Sequence, residues 1–305
     1  MKREIILPEI DTPTGPIAQE LFPERIRHTA GVERVGLGGF DIYCGDAVAV
    51  LAGLSECSAQ LVFTSPPYAD RRRNTYGGIH PDEYVKWFMP YVDAIRRVLR
   101  DDGTFVLNIK ESVVQGERHT YVLELIQAMR AAGWLWTEEF VWHKKNCYPG
   151  KWPNRFRDSW ERLLQFNKQR HFVMHQDAVM VPVGEWAHKR LAALSDTDRT
   201  RDESATGNGF GKRVENWVGR DMVYPTNVVH LATECSNRGH SAAFPAELPD
   251  WFIRLFTAPG DLVIDPFVGS GTTVAVARQL GRASIGIDIN PDFCEASRER
   301  ASCVV

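Results

Sequence analysis

The sequence predicts an α/β fold around a mostly parallel sheet, and three observations carry that prediction. Short apolar, β-branched runs alternate with helical periodicities along the chain. A strand, glycine turn, helix and second strand follow one another between Leu262 and Asp288. At 305 residues the chain can bury one large core with insertions, and it shows no internal repeats.

In chain order, residues 1–35 are rich in proline and mixed charge and read as an N-terminal arm. Strands are predicted at Phe40–Cys44, Gln60–Phe63, Thr104–Ile109, Phe140–Trp142, Leu163–Phe166, Leu262–Ile264 and Ser284–Ile287. A helix over Asp82–Leu99 places Tyr84, Trp87, Phe88, Tyr91, Ile95 and Val98 at three- and four-residue spacing. A second, Tyr121–Ala132, does the same with Val122, Leu125, Ile126 and Met129, and a third, Val274–Leu280, follows the glycine turn. Asp101-Asp102-Gly103 and Ala132-Gly133 are the stop signals. Between about His171 and Arg238 the alternation breaks into polar, glycine-rich sequence such as SATGNGFGKRVENW, which is too long for an ordinary connection and reads as an inserted lobe or a functional loop.

Composition narrows the class. Six scattered cysteines form no CxxC pair and no zinc-spaced Cys/His set, which suggests reduced thiols in the cytoplasm, and no metal ligand set is evident. The start, MKREIILPEIDTP, lacks the apolar stretch of a signal peptide, and no run reaches membrane-spanning length, so no membrane partner is expected. The net charge of −3 argues against indiscriminate polyanion binding. From Trp142 to Arg170, however, eight cations face only Asp158 and Glu161 and are interleaved with Trp142, Tyr148, Trp152, Phe156, Trp160 and Phe166. That mixture suits phosphate contacts and base stacking, or a solvated surface over core aromatics.

Two segments carry chemistry. In Phe63-Thr64-Ser65-Pro66-Pro67-Tyr68-Ala69-Asp70 two prolines end a strand, remove two N–H donors and leave a rigid set of acceptors. Alone, this reads as a stiff turn. In Leu262-Val263-Ile264-Asp265-Pro266-Phe267-Val268-Gly269-Ser270-Gly271-Thr272-Thr273, small glycines let a ligand approach the backbone, and Asp288 at the tip of the next strand can grip a ribose diol. No Gly-Lys-Ser/Thr follows, so a P-loop is excluded. Asp265 would repel a diphosphate and hold an ammonium, which suits S-adenosyl-L-methionine as cofactor.

Together the two segments resemble the amino-methylating DNA methyltransferases in the circularly permuted, β-group order, of the N4-cytosine (SPPY) type. The resemblance covers roughly residues 40–300. It implies a Rossmann-like S-adenosylmethionine-dependent methyltransferase fold with a seven-stranded, mostly parallel sheet, its strands beginning at residues 41, 284, 262, 61, 104, 163 and 138, the one at 163 antiparallel. Residues 36–170 would form the catalytic half, 171–238 the target recognition region and 239–305 the cofactor-binding half.

The resemblance implies roles for individual residues. Ser65, Pro66, Pro67 and Tyr68 are the catalytic loop: the serine oxygen and a proline carbonyl accept from the target amine, and the tyrosine stacks on a flipped base. Asp46, Phe244, Asp265, Pro266, Phe267, Gly269, Ser270, Gly271, Thr272 and Asp288 are the cofactor set, with Asp46 approaching the adenine amino group. Arg71, Arg72, Arg73, Lys144, Arg155 and Arg157 are expected on phosphates, with Lys212 and Arg213, beside Asn208 and Asn216, in the recognition region. In the family SPPY is typical of cytosine N4 and DPPY of adenine N6, and a neutral Ser65 avoids repelling the ring N3 lone pair. The substrate expected is therefore cytosine in double-stranded DNA, with adenine N6 the alternative, and RNA or small-molecule methylation or a non-catalytic DNA-binding protein with a vestigial cofactor pocket as readings of other classes. A cognate restriction endonuclease and a homodimer are the further partners implied.

Overall fold

The structure, a computed structural model, describes residues 39–69, 78–147, 149–151, 153–196, 218–233 and 244–304. The N-terminal arm, Arg71 to Arg73, Tyr148, Trp152, the run holding Asn208, Lys212, Arg213 and Asn216, and residues 240–243 lie outside the described residues.

The strands of the main sheet are β1 (Phe40–Cys44), β2 (Ala59–Thr64), β3 (Leu99–Ile109), β6 (Leu135–Lys144), β7 (Trp160–Asn167), β10 (Val228–Leu231), β11 (Leu262–Asp265) and β12 (Ala283–Asp288). A small hairpin, β4/β5 (Val113–Val114, Glu117–Arg118), and an antiparallel strand pair, β8/β9 (Val181–Pro182, Met222–Val223), stand apart from it. The sheet runs in the order β1-β12-β11-β2-β3-β7-β6-β10. Seven strands lie in the order the resemblance implied, and β7 alone is antiparallel to both neighbours. The eighth, β10, pairs parallel with β6 (Val228 with Val141). It lies inside the stretch read as an inserted lobe, and four residues pairing on one side only leave too little pattern to see in sequence. The Asp101-Asp102-Gly103 stop also falls inside a strand. Ala59 pairs with Leu99 and Leu61 with Thr104, so β3 spends five residues where β2 spends two, and the acids loop out.

The helices are α1 (Ala47–Gly53), α2 (Pro81–Val98), α3 (Tyr121–Ala131), α4 (Glu185–Ala192), α5 (Glu247–Phe256), α6 (Thr272–Gln279) and α7 (Pro291–Ser302). Helix α2 starts at Pro81 because His80 accepts from Asp82 N–H, the proline needs no donor partner, and Asp82 and Glu83 suit the positive end. Its far end carries Arg97, which donates to the carbonyls of Leu51, Ala52 and Leu54 at the end of α1. α2 and α1 are thereby tied together.

Strand alternation splits the core into two layers. Val62, Phe105 and Leu107 face the cluster with Leu51, Tyr84, Phe88, Ile95, Leu125 and Met129 from α1 to α3. Leu61, Phe63 and Val106 face the other, with Leu248, Phe252, Ile253 and Phe256 of α5 and Val276 of α6. Each such side chain, removed from water, contributes roughly 1.5–3 kcal/mol. Both faces of the sheet are covered, which forces function to its carboxyl edge. Among the described residues, no helix is long and apolar enough to cross a membrane.

Candidate active site

Because β1, β12, β11, β2, β3 and β6 run the same way, Asp46, Asp288, Asp265, Ser65, Asn108 and Lys144 all come to the same edge of the sheet. Antiparallel β7 brings its beginning there instead, which adds Trp160 and Glu161.

The catalytic loop leaves β2, every residue of which is buried. Tyr84 Oη donates to the Pro67 carbonyl at 3.0 Å, so α2 holds the loop from behind and leaves the Pro66 carbonyl as the natural partner of Ser65. Ser65 Oγ donates to Tyr68 Oη at 3.3 Å, and Tyr68 Oη donates to Glu161 Oε2 at 2.7 Å, with Asn108 Oδ1 3.2 Å away. Glu161 Oε1 takes Lys144 Nζ at 2.5 Å, and Lys144 sits 4.9 Å over the Trp142 ring. Burial, then the charge of Glu161, push the Tyr68 hydroxyl well above its ordinary pKa, so it stays a proton donor. The serine proton is thus directed along the chain to Tyr68, and its lone pairs are left for a substrate amine.

The glycine turn is organised from within. Asp265 is 1% exposed. Its Oδ1 accepts from Thr64 Oγ1 at 2.6 Å and Phe267 N–H at 3.1 Å, and its Oδ2 from Thr273 Oγ1 at 2.6 Å. Burial outweighs these bonds and raises its pKa to about 6. Three of its about four lone-pair sites are thus engaged within the protein. Asp288 accepts from Gly269 N–H at 3.0 Å and Asn290 N–H at 2.9 Å. Gly269 and Gly271 have φ of +52° and +83°. A Cβ on Gly271 would lie 2.7 Å from Ser297 Cα on α7.

The other cofactor positions divide. Phe267 packs with Tyr91 at 5.1 Å and Trp87 at 6.0 Å, a half-buried aromatic floor fit for a purine. Asp46 caps α1 by accepting from Ala49 N–H at 3.0 Å and lies 3.5 Å from Tyr91 Oη. Phe244 meets Phe63 edge-on at 5.5 Å beneath the catalytic loop. Pro266 is buried, Ser270 half-buried, and the Thr272 hydroxyl accepts from Arg300 at 2.8 Å. The donor set of two carboxylates, a close backbone and an aromatic floor fits an ammonium, a diol and a flat base.

The predicted phosphate contacts fare differently. Lys144 turns inward to Glu161, because a 10%-exposed carboxylate side chain offers it a stronger partner than solvent. Arg155 is half-buried; Arg157 is exposed and donates to the Cys147 carbonyl at 3.3 Å. Arg71, Arg72, Arg73, Lys212 and Arg213 are outside the described residues. Sequence reasoning overlooked Thr64, Asn108, Thr273 and Tyr84. Thr64 and Asn108 were visible as lone polar residues in apolar strands, and Thr273 as a hydroxyl eight positions after Asp265.

An acceptor loop built on serine and proline, at the same sheet edge as a glycine turn that fits an amino-acid nucleoside, is the layout of a group-transfer enzyme. Residues 59–299 match the family described as DNA methylase. The type II methyltransferase M.PvuII of Proteus hauseri is 30% identical over 280 residues, spanning 85% of this chain and 82% of that one. M.Cfr9I of Citrobacter freundii is 26% identical over 324 residues, spanning 94% and 95%. The solved PvuII DNA methyltransferase (cytosine-N4-specific) superposes with a TM-score of 0.64 at 27% identity over 86% of both chains. TTHA0409 of Thermus thermophilus, solved with S-adenosyl-L-methionine, shares the fold with a TM-score of 0.56 at 22% identity, covering 86% and 93%. The chain belongs to the DNA methylase family.

Proposed function

We propose that this chain methylates the exocyclic N4 amino group of cytosine at a specific site in duplex DNA, using S-adenosyl-L-methionine. The observation that carries this reading is the neutral acceptor Ser65, whose proton goes to Tyr68, which frees its lone pairs for a substrate amine. An exocyclic amine has its lone pair delocalised into the ring. Acceptors at its protons favour the pyramidal form and stabilise the charge that grows on nitrogen.

Ser65 Oγ and the Pro66 carbonyl accept the two N–H bonds, and Tyr68, held by its hydroxyl, offers its ring to the flipped base. Asp265 and Asp288 would hold the ammonium and ribose of the cofactor, which would supply an electrophilic methyl group: the N–C bond forms as the C–S bond breaks, and the sulfonium leaves as a neutral thioether. Positioning provides most of the rate. The amine's proton leaves to water after transfer.

Three finer assignments go with this. Residues 171–238, apart from β10, read the DNA sequence. A cognate restriction endonuclease is supported by relatives named as type II methyltransferases, and a homodimer by the permuted element order. The enzyme acts in the cytoplasm, where its DNA is.

The deciding experiment is methylation of unmodified DNA with labelled cofactor, followed by nucleoside mass spectrometry. N4-methylcytosine is expected. N6-methyladenine would refute the Ser65 argument and keep the fold, and label entering tRNA but not duplex DNA would refute the substrate class.

A further inference from the structure

Among the described residues Phe156 is the most exposed large hydrophobic side chain, at 96%, with Ile289 next at 53%. It lies in the connection between β6 and β7, which leaves the sheet at the same edge as Ser65, five residues before Glu161. A single exposed phenylalanine is ordinary on a protein surface; what sets this one apart is its place, on a cationic loop at the edge of the sheet that carries Ser65.

The loop that carries it is braced. Asp158, two residues on, pairs with Arg118 of β5 at 2.8 Å and Lys110 at the end of β3 at 3.3 Å. Burial alone would raise its pKa, but these two cations outweigh it and hold the carboxylate below the ordinary range. Lys144 N–H donates to the Ser159 carbonyl at 2.7 Å, which closes the base of the loop. The phenylalanine therefore stands on a fixed stem.

Its neighbours are cationic. A cleft of about 440 Å³ is lined by Cys147, Lys151, Arg155, Phe156, Arg157 and Ser159. The occupant that fits is a polyanion with an apolar interior, which describes duplex DNA with its stack opened. Extruding a base leaves a gap in the stack, and apolar side chains inserted between base steps stabilise such gaps.

We infer that Phe156 is the wedge that enters the duplex as the target nucleotide leaves it, with Lys151, Arg155 and Arg157 on the adjoining phosphates. The inference rests on the duplex-DNA reading above. Phe156 is a positioning residue: it touches neither the methyl donor nor the amine, and acts by keeping the target nucleotide in the pocket beside Ser65 and Tyr68.

The test uses full-length wild type, Phe156→Ala and Phe156→Trp on two duplexes carrying the site that sequencing of wild-type product identifies. In one duplex the target is paired; in the other it faces an abasic gap. Phe156→Ala should lose about ten- to a hundredfold in kcat/KM on the paired duplex, since unstacking a step costs a few kcal/mol. It should recover most of this on the gapped duplex, and Phe156→Trp should retain activity on both. With 2-aminopurine in place of the target base, the fluorescence rise seen on wild-type binding should vanish for Phe156→Ala while cofactor binding is unchanged.

An unchanged paired-duplex rate, or an equal loss on both duplexes, would overturn the wedge. So would a change confined to the oligomeric state in sedimentation, which would assign Phe156 to contact with a second copy. Failure of the wild type to methylate any duplex would instead remove the DNA reading itself, and the wedge with it.

Discussion

Thr64 Oγ1 donates to Asp265 Oδ1 at 2.6 Å, joining two residues 201 positions apart in the chain. Thr64 directly precedes Ser65, and Asp265 opens the glycine turn, so one buried hydrogen bond between adjacent parallel strands ties the amine site to the cofactor site. Thr64→Val keeps the shape and removes the donor. It should cost about 1–3 kcal/mol in urea denaturation, because a buried carboxylate loses a partner. It should also weaken cofactor binding in calorimetry; unchanged affinity would show the two loops to be independent.

Asp265 also sets a pH dependence. Its folded pKa of about 6 lies above the unfolded value near 4. The unfolded chain therefore ionises first as pH rises, and stability of about 3 kcal/mol, present below pH 4, is lost between pH 4 and pH 6. A cationic ligand reverses the preference by favouring the carboxylate. Cofactor affinity should fall by about half between pH 7 and pH 6, steepen towards tenfold per unit below pH 6, and level off above pH 7. Calorimetry in buffers of different ionisation enthalpy should detect proton release near pH 6, and Asp265→Asn should abolish it.

Ser65→Ala should bind cofactor normally and lose about 10²–10³ in kcat, the scale of one preorganised acceptor or donor at a developing charge. A filter assay with labelled cofactor reads turnover and calorimetry reads binding. Loss of binding with the alanine would place Ser65 in the cofactor site instead.

The Glu161–Lys144 pair should behave as one unit. Removing either charge alone, by Glu161→Ala or Lys144→Met, leaves the other largely buried and should cost about 3 kcal/mol in denaturation. The double variant should cost clearly less than the sum. Tyr68→Phe, which leaves Glu161 Oε2 without its 2.7 Å donor, should cost about 1–3 kcal/mol while keeping the ring. Strict additivity would mean that the chain from Ser65 to Lys144 is not a network.

Gly286 lies in the middle of β12, where a Cβ would meet Val268 Cγ2 at 2.7 Å and Ile42 Cδ1 at 2.9 Å. Gly286→Ala should cost about 1–3 kcal/mol by overpacking. Gly271→Ala should cost more, since positive φ and a backbone atom at 2.7 Å add together. Thermal denaturation ranks the two, and the reverse order would contradict the packing of α7 on the turn.

The sheet was legible in the sequence where short apolar runs mark a strand, as in β2, β11, β12 and the Thr104–Ile109 part of β3; the Leu99–Gly103 part, with Arg100, Asp101 and Asp102, was not. β10 was not, since its four residues lie in a polar stretch, whereas the other edge strand, β1, carries Phe40, Ile42 and Tyr43 and was predicted. Asp265 and Asp288 were legible as acids at strand tips, but their partners were not. A hydrogen bond to Thr64 has no local pattern when its two ends are so far apart in sequence.

The basic stretch shows a further limit. Composition from Trp142 to Arg170 cannot say which face a side chain takes. Trp142 and Phe166 are buried, Arg162 pairs with Glu111 and Glu139, Lys144 pairs with Glu161, and Phe156 stands in solvent. One run of sequence therefore serves three purposes: core, charged belt and exposed tip.

The pairing of Phe40 with Ser284 has a consequence for synthesis. A ribosome releases the catalytic loop some two hundred residues before the turn that completes it, and the edge of β2 waits for β11 through that interval. A nascent or prematurely terminated chain can display Ser65 but holds no methyl donor beside it. The element order thus keeps the two loops apart until both halves of the sheet have been made.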